Sequence, residues 1–140
     1  MGPDDSAQAR GNDDPSVPDD APVWRRIPEW HIVPDTNTGE RRVSSAAFLD
    51  DDDGSPMSVI LPSPRRDPGT ALAGLTICGI AEFTAGFARS LGQAIVCAPE
   101  PDEPEHAYVV GRKSRATQRA FCRGSHWAYL LAAWADVSLG

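Results

Sequence analysis

The sequence predicts an α+β domain in which two or three helices lie on one face of a mainly antiparallel sheet, preceded by a disordered acidic tail. Three observations lead there. Residues 1–22 hold six aspartates and four prolines against one arginine, with Met1 and Val17 the only sizeable apolar side chains. Beyond them, apolar runs of strand length are interspersed with two stripes of helical period. Turn-forming clusters separate the runs, and hairpins dominate over crossover units.

The tail accounts for −5 of the chain's net charge of −7, so residues 23–140 are nearly neutral. Fixing a backbone takes roughly 1–2 kcal/mol per residue, and residues 1–22 have too little apolar surface to offset that. The expected division is therefore a tail over 1–22 and one domain over 23–140, long enough to bury a core without staples. Cys78, Cys97 and Cys122 form no close pair, and no basic and apolar leader precedes them, so reduced thiols in a cytoplasmic protein are expected. The most apolar window, 71–98, is interrupted by Glu82, Arg89 and Gln93, which argues against a membrane span.

Each element follows in order. Residues 23–33 mix Val23, Trp24, Ile27, Trp30 and Ile32 with charge around Pro28, predicting a short strand, a turn and an extended continuation. Asp35, Asn37 and Gly39 mark a surface loop over 34–40. Residues 42–49 read as a strand facing inward through Val43, Ser45, Ala47 and Leu49, and a turn at 50–56 joins it to a second strand over 57–61 as a hairpin. Three prolines make 62–69 a loop, with a short helix over 70–75. Ile80, Phe83, Phe87 and Leu91 then step by three, four and four, predicting a helix stopped by Gly92. Residues 93–98 and 105–110 form two antiparallel strands around the acidic loop 99–104. A last helix over 114–135 carries Ala120, Gly124, Trp127, Leu131 and Trp134, with Gly124-Ser125 as a point where it splits into two helices.

No motif commits the chain to one chemistry. Arg112, Arg115, Arg119 and Arg123, with Lys113 beside them, form a ridge if a helix begins near 112, and such a ridge binds nucleic acid, phosphate or an acidic partner. A solvated helix face carries the same pattern, and the acidic tail could equally fold back over the ridge. His31, His106 and His126 lack zinc-site spacing with the cysteines. The run Asp50 to Asp53 before Gly54 fails the calcium-loop test because Leu49 occupies the first ligand position, so it reads as a polar turn. No phosphate loop or nucleophile elbow occurs. Trp127 and Trp134 are expected in the core, and Trp24 and Trp30 in the first strand region, with partner anchoring as the alternative role.

Arg25-Arg26, Arg41-Arg42, Ser44, Ser45 and Ser58 place strand-borne arginine ahead of a Ser-Ser-x-x-Phe element. This order resembles the arrangement in ADP-ribosyltransferase-type folds. The resemblance implies that Arg25, Arg41, Ser44 and Ser45 hold a nucleotide-type substrate, with Glu82 or Glu105 as acid or base. No glutamate occupies the matching late strand position, since Glu82 falls on the predicted helix and Glu105 borders the acidic loop.

The leading expectation is a small cytoplasmic, non-catalytic interaction or accessory module that binds a protein partner, without cofactor, metal or membrane. The alternatives are the nucleotide-type enzyme and nucleic-acid binding along the arginine ridge.

Overall fold

The computed structural model describes residues 12–72 and 77–139. Six strands form one antiparallel sheet in the order β6-β7-β4-β1-β5-β8: β1 (Pro22–Pro28), β4 (Met57–Ile60), β5 (Ile77–Thr84), β6 (Ala94–Cys97), β7 (His106–Val110) and β8 (His126–Leu130). A separate ribbon pairs β2 (Ile32–Pro34) with β3 (Arg41–Val43). Among the described residues the α-helices are α1 (Ala85–Ser90) and α2 (Arg115–Gly124). Both bury their apolar sides in one cluster with Val23, Ile27, Met57, Val59, Ala107 and Val109 from the sheet. The opposite face carries a smaller cluster of Trp24, Ile60, Ala71 and Ile80. The α+β class with an antiparallel sheet thus holds, as do the β6–β7 pairing and the loop at 34–40.

The predicted helix over 80–91 is a strand for its first half. Residues three apart in a strand point to opposite faces, and accordingly Ile80 lies in the small cluster while Phe83 lies in the large one. β5 runs between β1 and β8, buried from Ile77 through Ala81, so its sequence is continuously apolar and mimics a helical stripe. Gly79 is required here, because a Cβ would sit 2.5 Å from the Tyr129 carbonyl oxygen on β8. The helix proper begins where the Thr84 hydroxyl accepts the Phe87 N–H at 3.1 Å, and it ends as expected at Gly92, whose φ is +77°.

The long terminal helix is likewise corrected. Ser114 caps α2 by accepting the Thr117 N–H at 3.2 Å, but the helix stops at Gly124. Ser125 starts no second helix: its hydroxyl donates to the Phe121 carbonyl at 2.6 Å and closes the first. His126 to Leu130, with Trp127 and Tyr129, then pairs along β5 as the sheet's last strand. Trp127 and Trp134 pack against the large cluster and Trp24 is buried, whereas Trp30 stands 72% exposed.

Two further expectations change. The strand over 42–49 shrinks to β3 and gives way to a 3-10 turn, Ser45–Phe48, where the Ser44 hydroxyl accepts the Ala46 N–H. The hairpin between 42–49 and 57–61 does not form, because β3 pairs with β2 while β4 lies between β1 and β7. The short helix over 70–75 appears as a 3-10 turn at Pro68–Leu72, and residues 73–76 lie outside the described residues.

The tail over 1–22 is not disordered from Asp13 onward; residues 1–11 lie outside the described residues. Asp13 Oδ1 accepts the Ile95 N–H at 2.8 Å, and the Asp14 N–H donates to the Ile95 carbonyl at 2.8 Å. Arg89 bridges Asp13 at 3.1 Å and Asp19 at 2.8 Å, and Val17 enters the core. The segment straps Asp13 and Asp14 over the outer edge of β6, and Asp19 and Ala21 over the start of α1, where they accept the Gly86 and Ala85 N–H. Its carboxylates find a cation and a strand edge, and the structured body starts well ahead of Trp24.

Candidate anion-binding cleft

Phe48 of the 3-10 turn stacks on Phe121 of α2, with ring centroids 5.9 Å apart, so the turn is held against the helix. Beside that contact opens a cleft of about 380 Å³, lined by Arg42, Val43, Ser45, Arg119, Cys122 and Arg123. Arg119 and Arg123 reach it together because residues four apart share a helix face. Arg42 arrives from β3, and Ser45 from the first residue of the turn.

The cations of this cleft have no anionic partner among the described residues. Arg42 donates to the neighbouring Val43 carbonyl at 3.5 Å. Among the described residues no carboxylate comes within ion-pair distance of Arg42, Arg119 or Arg123. Arg119 and Arg123 are exposed, and Arg42 is half-buried. Cys122 lies under them, its sulfur 3.7 Å from the Val43 carbonyl, and burial raises its thiol pKa against the lowering pull of Arg42 and Arg123. The chemistry on offer is charge-assisted hydrogen bonding to an anion, with planar guanidiniums suited to carboxylate or phosphate oxygens.

The expected ridge is thereby redrawn. Arg112 precedes the helix and contributes its carbonyl to Gln93 Nε2 at 2.9 Å. Lys113 is buried, its ammonium donating to Asp50 at 2.7 Å, Val109 O at 2.9 Å and Gly111 O at 3.0 Å. Arg115 is exposed on the first turn and does not line the cleft. Arg42 is the member that sequence reasoning missed, because nothing in the spacing links residue 42 to residues 119 and 123.

Arg25, Arg41, Ser44 and Ser45 are not brought together. Arg25 donates to Ala47 O at 3.0 Å, Ser58 O at 2.9 Å and Asp51 at 3.2 Å. Arg41 pairs with Asp136 and lies 4.7 Å above the Trp134 ring. Ser44 caps the 3-10 turn, and Ser45 lines the arginine cleft. Glu82 accepts from Trp24 Nε1 at 2.8 Å and contacts His126 Nε2 at 2.9 Å, on the sheet face opposite the helices.

A second polar cavity, about 490 Å³, includes Arg26, Arg66, Glu103 and His106. Its two arginines and Glu103 are paired with one another. Arg66 binds Glu103 at 2.5 Å and Glu105 at 2.7 Å, Arg26 donates to Ala71 O at 2.7 Å, and His106 Nδ1 lies 2.8 Å from Ala98 O. Hydrogen bonds from Arg66 hold the Glu103 carboxyl below its ordinary 4.5. A depressed native pKa contributes stability that is present above the unfolded value and lost as pH falls through the native one. Glu103→Gln is therefore expected to flatten the fall in unfolding free energy between about pH 5 and 3, read by urea titration at each pH. An unchanged acid limb would show that this pair carries none of it.

No family model, curated protein or solved structure matches this chain. Among the described residues no helix is long and apolar enough to cross a membrane.

Proposed function

We propose that this chain is a non-catalytic interaction module whose arginine cleft takes the carboxylate side chains of an acidic segment on a partner protein. The observation that carries this reading is the convergence of Arg42, Arg119 and Arg123 on one cleft without a carboxylate among the described residues to neutralise them. Leaving three cations together costs self-repulsion that an incoming anion relieves. A compact concave site suits acidic side chains better than a duplex, which calls for a longer basic track, and that track is interrupted where Lys113 turns into the core. The nucleotide-type enzyme is not favoured, because Arg25 and Arg41 are occupied by carbonyls and carboxylates at separate places.

The test is fluorescence anisotropy with a labelled octaglutamate peptide and, separately, a labelled DNA duplex. The wild-type chain is expected to bind the peptide, and Arg119→Glu with Arg123→Glu to weaken it about tenfold or more while the melting temperature stays put. Equal peptide binding by the double variant would sink the reading. Duplex binding tighter than peptide binding, with a steep salt dependence, would replace it with nucleic-acid recognition.

A further inference from the structure

Trp30 and Leu49, 72% and 39% exposed, are two of the three large apolar side chains left in water among the described residues, and both line one pocket. The pocket measures about 510 Å³ and is also walled by Pro28 and Ile77. Trp30 sits on a 3-10 turn, Glu29–His31, between β1 and β2, and no residue of that turn is buried. An indole held out this way presents its π face to whatever enters.

The pocket wall carries three aspartates against Arg25 and Arg26, and one of the aspartates is uncommitted. Asp50 is engaged by Lys113 at 2.7 Å, and Asp51 by Arg25 at 3.2 Å and by the Ser58 hydroxyl at 2.5 Å. Asp53 accepts the Ser55 N–H at 2.9 Å. Asp52, also on the pocket wall, is exposed and has no hydrogen bond or ion pair among the described residues. Arg25 and Arg26 also line the pocket, Arg25 paired with Asp51 and Arg26 with Glu103, so that Asp52 is the charge left over. His31 adds no positive charge at neutral pH, since burial and then Arg25 lower its pKa.

We propose that this pocket is a second recognition site, which takes an arginine or lysine side chain from a segment of a partner protein. The aliphatic stem packs on Trp30 and Leu49, the cation lies over the indole, and Asp52 supplies the counter-charge. Charge complementarity selects this occupant over an acidic or purely apolar one. The site stands independently of the arginine cleft, although the two flank the same turn: Ser45 lines the cleft and Ala46 lines the pocket.

The experiment follows the Trp30 indole N–H resonance of the full chain, assigned by its loss in Trp30→Phe. The probes are acetylated tetra-arginine amide and tetra-glutamate amide. Tetra-arginine is expected to shift the resonance saturably and tetra-glutamate to leave it unmoved. Asp52→Asn should weaken the interaction about threefold and Trp30→Ala, followed by calorimetry, about fivefold, with melting temperatures unchanged. An unmoved Trp30 resonance, or equal affinity in both variants, would overturn the proposal. So would a concentration-dependent shift without peptide, since the occupant would then be a second copy of this chain.

Discussion

Replacing Phe121 by alanine is expected to lower the unfolding free energy by about 3–5 kcal/mol, the range for removing a fully buried phenylalanine. Phe121 has no exposed surface, and its ring lies 5.9 Å from Phe48, 4.9 Å from Phe83 and 6.1 Å from Phe87. It therefore joins α2 to the 3-10 turn, to β5 and to α1 at once. Little of the void can close, since Gly124 already meets the Phe87 ring where a Cβ would be 2.2 Å away. Chemical denaturation followed by circular dichroism gives the loss directly. Because α2 and the turn are the walls of the arginine cleft, the variant should also bind octaglutamate more weakly while still folded. Phe121→Leu should lose only about 1–1.5 kcal/mol. A loss below about 1 kcal/mol for the alanine variant would mean that the rings do not form the joint described.

Asp13→Ala is expected to remove about 2–3 kcal/mol, from one charge-assisted contact and one backbone N–H left unpaired. The Asp13 carboxylate spans Arg89 Nε at 3.1 Å and the Ile95 N–H at 2.8 Å. The consequence is more specific than the energy. β6 is an edge of the sheet, and the strap covers the outward N–H and carbonyl of Ile95. Once loosened, that edge becomes a template for pairing with another chain. Hydrogen exchange at the Ile95 amide should accelerate, and sedimentation should reveal concentration-dependent association. Asp13→Asn retains an acceptor for Ile95 and should fall between the variant and wild type. Unchanged protection at Ile95 would show that the strap does not guard the edge.

The same strap explains why composition misled. Six aspartates in 1–22 and few apolar side chains describe a chain that cannot fold on itself, and that much is sound. Asp13 and Asp19 do not need to fold on themselves, because Arg89 on α1 receives both. The Asp13–Arg89 pair is separated by 76 residues, and no local rule anticipates it. The candidate site was half legible for the same reason. Arg119 and Arg123 share a helix face and were visible by their spacing of four, whereas Arg42 and Ser45 reach them through the Phe48–Phe121 stack. Lys113 looked like part of the ridge because spacing carries no information on which cation turns inward to Asp50.

Local chemistry determined part of the punctuation of this chain: a helix begins at Ser114, Gly92 ends one, and residues 34–40 and 99–104 turn between antiparallel strands. Those features depend on side chains and backbone within a few residues of one another, so sequence carries them in full. Tertiary structure alone decided that 77–84 and 126–130 are strands, that Asp13 and Asp14 lie against β6 while Asp19 and Ala21 lie against the start of α1, and which arginines meet. β5, buried from Ile77 through Ala81, has no period to read, the edge strand β8 takes its conformation from pairing with β5, and charges choose partners by distance in space, which only the assembled sheet defines.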